Sequence, residues 1–291
     1  MPLVLQSGNP RDRKVTFRRR WNFFTNPDVA VAITGMRGTG KSTLMKAIRG
    51  RLRIDIYPTW EESPDAERDR FVAVTKGGKR QIQSVVVPGQ KDSTQGASTL
   101  RRYFFEGKAP DGVVHVASWG YSTIWDYTAE KVAIASAANG GQGTGDTDLT
   151  RTRDYNLKGE LDDFRETSSL LKVSWRGKRN PLWLIIAVSK VDLFQDTDSL
   201  KQVGRHYLPA ERPEDDSPFA RELRSLVNNL GEQRFGAPGR LRIALVPVVS
   251  FPEDYPVSDT TVPSTGKPDV VAALLTNFVN TLWELSGDRQ A

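Results

Sequence analysis

The eight residues Gly35-Met36-Arg37-Gly38-Thr39-Gly40-Lys41-Ser42 fit the pattern G-x-x-x-x-G-K-[ST], and nothing else in the chain constrains its fold as much. The run before them, Val29-Ala30-Val31-Ala32-Ile33, is β-branched and apolar, as a buried parallel strand requires. After them, Thr43-Leu44-Met45-Lys46-Ala47-Ile48 continues as a helix. Strand, glycine-rich loop and helix in that order make a phosphate-binding P-loop. Glycines let the backbone curl so that successive N–H groups point inward, and the helix adds its positive N-terminal end. Gly35, Arg37, Gly38, Thr39, Gly40, Lys41, Ser42 and Thr43 are therefore expected to line phosphates. Lys41 is expected to reach the β- and γ-phosphates, and Ser42 to ligate Mg²⁺.

Composition narrows the remaining chemistry. The chain of 291 residues holds no cysteine, which excludes disulfides, thiol catalysis and Cys-ligated zinc. With only His115 and His206, a histidine metal site or catalytic triad is not expected. The longest apolar stretch, Pro181 to Val188, is too short to span a bilayer. Met1-Pro2 lacks the second-position glycine of a myristoylation signal. These features lead to an expectation of a cytoplasmic protein whose only metal is nucleotide-borne Mg²⁺.

The net charge of +6 is concentrated in one place: residues 11–20 carry six cations against Asp12. This arm closes with Trp21-Asn22-Phe23-Phe24. Arginine interleaved with aromatics suits nucleic acid or an anionic membrane surface. The favoured reading is plainer, with the aromatics packed on the domain and the arginines solvated. The division expected is an arm over 1–27 and a single domain over 28–291, interrupted by an insertion at about 121–180.

Alternation along the chain gives the fold class. Strands are expected at 71–75 and 81–87, joined by a hairpin at Lys76–Lys79, and at 112–117, 182–188 and 241–249. Helices are expected at 99–105, 148–173, 218–230 and 270–285, with Ser217-Pro218 opening the third. His115 reads as a core or edge histidine, and Trp119, Tyr121 and Trp125 as buried aromatics before docking residues. Asn139–Gly145 reads as a loop and not a second phosphate site. Strands alternating with helices imply an α/β, three-layer P-loop NTPase fold. Its sheet would be six-stranded and mostly parallel, with one antiparallel edge strand and helices on both faces. Ligands in such sheets sit beyond the carboxyl ends of the strands.

After the 182–188 strand comes Ser189-Lys190-Val191-Asp192. With the P-loop upstream, the chain here resembles the Ras-like, translation-factor-class P-loop GTPases, whose base-reading motif is [NT]-K-x-D. The resemblance implies GTP or GDP as ligand. An Asp192 carboxylate accepts from guanine N1–H and the exocyclic amine, whereas adenine offers neither donor there. Lys190 would lie along the base, and Ser189 would tie the loop in place of the usual Asn or Thr. The resemblance also implies that Thr59 meets Mg²⁺ and the γ-phosphate, that Gly89 offers its N–H to that phosphate, and that Gln90 orients the attacking water. Ser250 falls at the family's short S-A motif. The chain departs from the pattern at Val86, where the family places an Asp that holds Mg²⁺ through water.

The leading expectation is a GTPase switch that hydrolyses GTP slowly or with a protein partner, using Lys41, Thr59 and Gln90. An alternative is a pseudo-GTPase, a binding or scaffold module that keeps its nucleotide. A third is an ATP-using P-loop NTPase tethered to nucleic acid by the basic arm.

Overall fold

A computed structural model describes residues 4–7, 26–48, 67–75, 78–87, 109–123, 145–176, 182–194, 196–232, 241–257 and 260–287. The helix expected at 99–105, Thr59, the Pro88–Gln90 turn, Trp125, residues 139–144 and the arm at 11–24 lie outside them.

Nine strands and five α-helices are described. The strands are β1 (Val4–Ser7), β2 (Asn26–Thr34), β3 (Glu67–Thr75), β4 (Gly78–Val86), β5 (Gly112–Ala117), β6 (Leu182–Val188), β7 (Leu241–Pro247), β8 (Tyr255–Val257) and β9 (Thr260–Val262). The helices are α1 (Lys41–Ile48), α2 (Gly145–Ser174), α3 (Thr197–Tyr207), α4 (Pro218–Glu232) and α5 (Pro268–Gly287).

Seven strands form one sheet in the order β1-β3-β4-β2-β5-β6-β7. The five from β4 to β7 are parallel, in register from Ile33 opposite Val86 and Val114 to Ile185 opposite Val114 and Ala244. The sheet therefore has one strand more than the six expected; its one antiparallel strand, β3, is not the edge, because β1 pairs outside it and runs in the same direction as the other five. β3 pairs with β4 through the expected hairpin, and β1 pairs outside it, with Val4 opposite Val74 and Ser7 opposite Phe71. Residues 4–7 were thus part of a presumed arm in sequence and are an edge strand in space. β8 and β9 form a separate antiparallel pair.

Because strand side chains alternate, each buried strand feeds two faces. Leu182, Leu184, Ile186 and Val188 join a core with Phe164 and Leu171 of α2, Val203 and Tyr207 of α3, and Phe219 and Leu223 of α4. Trp183, Ile185 and Ala187 join the opposite core with Leu44 and Met45 of α1 and Phe278 and Leu282 of α5. β6 is buried at every position, which is why it reads as an unbroken apolar run. Of the 121–180 segment read as an insertion, α2 is a layer of the domain itself, with Phe164 and Leu171 fully buried.

Helix starts follow local chemistry. Asp196 accepts from the Asp198 and Ser199 amides to cap α3, a helix not foreseen in sequence. Ser217 accepts from the Ala220 amide ahead of Pro218, as expected for α4.

Candidate functional site

Parallel strands bring their C-terminal ends to one edge. β2 ends in the Gly35–Ser42 loop, β5 in Ser118–Thr123, β6 in Ser189–Asp192 and β7 in Val248–Ser250. Backbone bonds stitch these exits together: Val87 N–H donates to Ile33, Ser189 N–H to Ala117 and Val248 N–H to Val188, at 2.9, 2.7 and 2.8 Å.

Two glycines of the first loop are dictated by its close approaches. Gly35 has φ +134°, and a Cβ there would lie 2.2 Å from the Val116 carbonyl oxygen. Gly38 has φ +77°, and a Cβ there would lie 2.3 Å from the Thr123 carbonyl oxygen. Both conditions exclude an L side chain. Gly40, at φ +90°, faces open space. Thr39 donates its hydroxyl to the Met36 carbonyl at 2.8 Å, which tightens the curl. Lys41 opens α1 and is buried, its Nζ donating to the carbonyls of Gly35 at 2.7 Å and Met36 at 2.9 Å. The ammonium is thus held inside the loop. Arg37 lies on the turn, half-buried, and Ser42 and Thr43 lie in the first turn of α1.

The second loop meets the first through one side chain. Ser189 is buried, and its Oγ lies 2.6 Å from the Thr39 carbonyl and 3.0 Å from the Ala117 carbonyl, a donor to either. Lys190 takes the left-handed conformation, φ 58°, at the start of the one-turn helix Val191–Leu193. Its Nζ donates to the Tyr121 carbonyl at 2.7 Å and lies 3.4 Å from Thr123 Oγ1. Burial pushes the Lys190 ammonium down to about 8, against the pull of the Glu253, Asp192 and Glu160 carboxylates.

Asp192 is 3% exposed. Its Oδ2 accepts from Ser264 Oγ at 2.5 Å, and its own carbonyl accepts from the Thr265 amide and hydroxyl at 3.0 and 2.7 Å. Oδ1 is buried and makes no hydrogen bond of good geometry, though the backbone amides of Asp192 and Glu253 also favour the charged carboxylate. Burial raises the Asp192 carboxyl above the ordinary range, and the Ser264 hydroxyl opposes that shift. A Cβ on Gly266 would meet Asp192 Cβ at 3.3 Å, so the Ser264–Gly266 turn lies directly on the carboxylate's stem.

Ser250, expected at the family's short S-A motif, makes no hydrogen bond to Asp192 here. The Ser250 hydroxyl is buried and unpartnered, and Ser264 is the serine that touches Asp192. The β8–β9 hairpin separates the end of β7 from the start of α5, so counting from the strand end stops short of the turn. The usable signal was Ser264-Thr265-Gly266-Lys267 immediately before Pro268, the first residue of α5.

Val86 lies in the core between the sheet and α1, 4% exposed, and contributes nothing to the site. Gly89, Gln90 and Thr59 lie outside the described residues. Among the described residues no three His, Asp or Glu side chains gather to hold a metal. A hard cation here would have to take most of its ligands from phosphates and water, with Ser42 the described residue that would hold it and Thr59, the other expected ligand, outside the described residues.

His115 is fully buried and shares a 3.0 Å hydrogen bond between its Nδ1 and the Thr34 hydroxyl. Phe164 packs edge-on at 5.0 Å. Burial, with the Lys41 charge nearby, lowers His115 to about 3. It is a neutral core histidine beneath the loop, as its place in β5 suggested. Trp119 and Tyr121 are buried aromatics at 7% and 5% exposure.

No model of a known protein family matches this sequence, and no curated protein is significantly similar to it. Fold and site together define an α/β protein with a five-stranded parallel core and a glycine-rich loop at its C-terminal edge. Among the described residues no helix is long and apolar enough to cross a membrane.

Proposed function

We propose that this chain is a guanine-nucleotide-binding protein of the P-loop type. The observation that carries the reading is the 2.6 Å bond from Ser189 Oγ to the Thr39 carbonyl. It joins the loop suited to phosphates to the loop suited to a purine, across 150 residues of sequence. A phosphate-bearing ligand would meet the Lys41 ammonium and the amide-rich curl. The purine would meet the Asp192 carboxylate, one oxygen of which is held by Ser264. Guanine supplies two donors on one edge, N1–H and the exocyclic amine. Adenine presents an acceptor at N1, so the same carboxylate repels it. Leaving a buried acceptor unmatched costs about 1–3 kcal/mol, enough to separate the purines by roughly ten- to a hundredfold.

Fluorescent-nucleotide titration tests this. GTP and GDP should bind in the presence of Mg²⁺, ATP should bind at least tenfold more weakly, and Asp192→Ala should erase the difference. Equal affinity for ATP and GTP would refute the guanine assignment.

Whether GTP is turned over slowly, or with a partner, rests on Lys41 and on Thr59 and Gln90 as the resemblance implies. One specific observation favours the alternative, a module that retains nucleotide without efficient hydrolysis. Val86 stands where the resembling family has its Mg²⁺-holding Asp, and here it is a core side chain that cannot accept a hydrogen bond. Single-turnover phosphate release separates the two. Mg²⁺-dependent release that Gln90→Leu slows identifies a GTPase, and release no faster than spontaneous hydrolysis identifies the module.

A further inference from the structure

Between the two proposed ligand-binding loops runs Ser118–Thr123, the exit of β5, and its backbone is strained. Trp119 is not glycine and has φ 50°. Such a conformation costs on the order of 1–3 kcal/mol and persists only where the surroundings over-determine it. Here they do. Glu160 of α2 accepts from the Ser118 amide, the Ser118 hydroxyl and the Gly120 amide at 3.1, 2.9 and 3.1 Å. Tyr207 of α3 donates to Glu160 at 2.6 Å and accepts from the Trp119 amide at 3.0 Å. Asn156 of α2, 1% exposed, donates from Nδ2 to the carbonyls of Gly120 at 2.8 Å and Ser122 at 3.3 Å. Tyr255 donates to the same Ser122 carbonyl at 3.1 Å.

The free end of this strap rests on the phosphate loop. The Thr123 amide donates to the Gly38 carbonyl at 3.1 Å, and its hydroxyl lies 3.3 Å from the same oxygen. The loop also touches α2 directly, since a Cβ on Gly159 would lie 2.5 Å from Met36 Sδ. Met36 and Gly38 are thereby fixed from outside the loop, on either side of Arg37.

We infer that the Ser118–Thr123 strap is a positioning element of the nucleotide site, and that Asn156 acts through it to hold the Gly35–Ser42 loop in its ligand-ready shape. The inference rests on the nucleotide-binding reading above. It adds that α2, which contributes no residue to the proposed ligand contacts, helps set phosphate affinity. The purine-reading Asp192 is held separately, by Ser264 and Thr265, and Lys190, which does bond the strap's Tyr121 carbonyl, would lie along either purine without distinguishing them. Loss of the strap should therefore weaken GTP and ATP by one common factor and leave their ratio intact.

The test uses the full chain, with Asn156→Ala and the near-isosteric Asn156→Asp, which offers acceptors where the strap needs donors. Binding of fluorescent GTP and ATP is measured well below the melting temperature and expressed per folded molecule. Amide hydrogen exchange over residues 36–41 is followed without nucleotide. Both variants should bind GTP roughly five- to tenfold more weakly, with the GTP:ATP ratio unchanged and exchange at 36–41 faster. Unchanged affinity in folded variants overturns the inference. So does a changed purine ratio, because the strap would then serve the base. If the wild-type chain binds no nucleotide, the functional reading fails on its own, and exchange at 36–41 decides: faster in the variants supports the strap's role, equal rates overturn it. Should neither Asn156 variant fold, Thr123→Ala at the strap's end is read by the same criteria.

Discussion

The Ser189 hydroxyl and the Thr39 carbonyl, 2.6 Å apart, join the exits of β6 and β2 across the intervening strand β5. Both partners are buried, so water cannot replace the bond if it is lost. Ser189→Ala leaves the Thr39 carbonyl short of a donor and should cost about 1–3 kcal/mol of stability. It should also weaken GTP binding by about tenfold, because the two loops would no longer be held in register. Ser189→Thr keeps the hydroxyl and should retain most of both. Urea unfolding and nucleotide titration on the two variants check this, and an alanine variant with unaltered affinity would show that the loops hold their relative positions by other means.

Ser264 and Asp192 lead to a second prediction. The Ser264 hydroxyl satisfies Oδ2 and orients the carboxylate, which on the proposed reading accepts from the purine. A hydrogen bond to a charged group is worth about 1.5–3 kcal/mol, so Ser264→Ala should weaken GTP binding by roughly ten- to a hundredfold. ATP binding should change far less. Ser250→Ala, at the position the sequence pattern first suggested, should leave GTP affinity within about twofold, since its hydroxyl touches neither Asp192 nor another polar group. Parallel titrations of the two serine variants decide between the two positions.

The contrast between those serines shows where sequence reasoning reached its limit. The Gly35–Ser42 pattern, β6 and the turn carrying Asp192 were legible because each is local: an apolar run, then a loop whose residue types follow from its chemistry. α5 was legible from its apolar periodicity. Ser264 was not, because its role depends on how far the β8–β9 hairpin carries the chain between β7 and α5. β1 escaped notice for a different reason. Four residues carry no measurable periodicity, and only the register with Phe71–Val74 makes Val4–Ser7 a strand. Glu160 and Asn156 lie off the apolar stripe of the expected 148–173 helix, and Tyr207 lies in a helix that the sequence did not suggest. Their contacts with the strap and with one another span 34 to 88 positions of sequence, which no local pattern encodes.

The glycines of the Gly35–Ser42 loop differ in kind, and substitution should expose the difference. Gly35→Ala combines a φ of +134° with a Cβ 2.2 Å from a backbone oxygen of β5. Backbone atoms in a buried sheet cannot step aside, so the cost should exceed about 3 kcal/mol and binding should be lost. Gly40→Ala meets only its φ of +90°, with open space around the new methyl. Its cost should stay on the order of 1–3 kcal/mol, leaving a folded protein in which phosphate affinity falls because the methyl enters the ligand's side of the loop. Chemical denaturation ranks the two, and equal destabilisation would contradict the close approach to Val116.

His115 makes stability depend on pH in a direction fixed by its burial. The folded state holds its pKa near 3, against 6.5 for an ordinary histidine. A depressed folded pKa means that the unfolded chain binds the proton first as the pH falls. The contribution is therefore complete above about pH 6.5 and is lost progressively towards pH 3, at about 1.4 kcal/mol per pH unit across the window. Integrated to pH 5, the loss is about 2 kcal/mol relative to pH 7.5. His115→Gln can still reach the Thr34 hydroxyl and does not titrate. It should be less stable than the wild type at pH 7.5, because a flexible amide replaces a ring packed against Phe164 and Phe219. Its stability should nonetheless fall less steeply on acidification, so the two urea-midpoint curves should converge by about pH 5. Parallel curves would mean that the proton uptake governing acid unfolding lies elsewhere, with His206, lowered to about 4 by burial and the nearby Arg153, as the next group to replace.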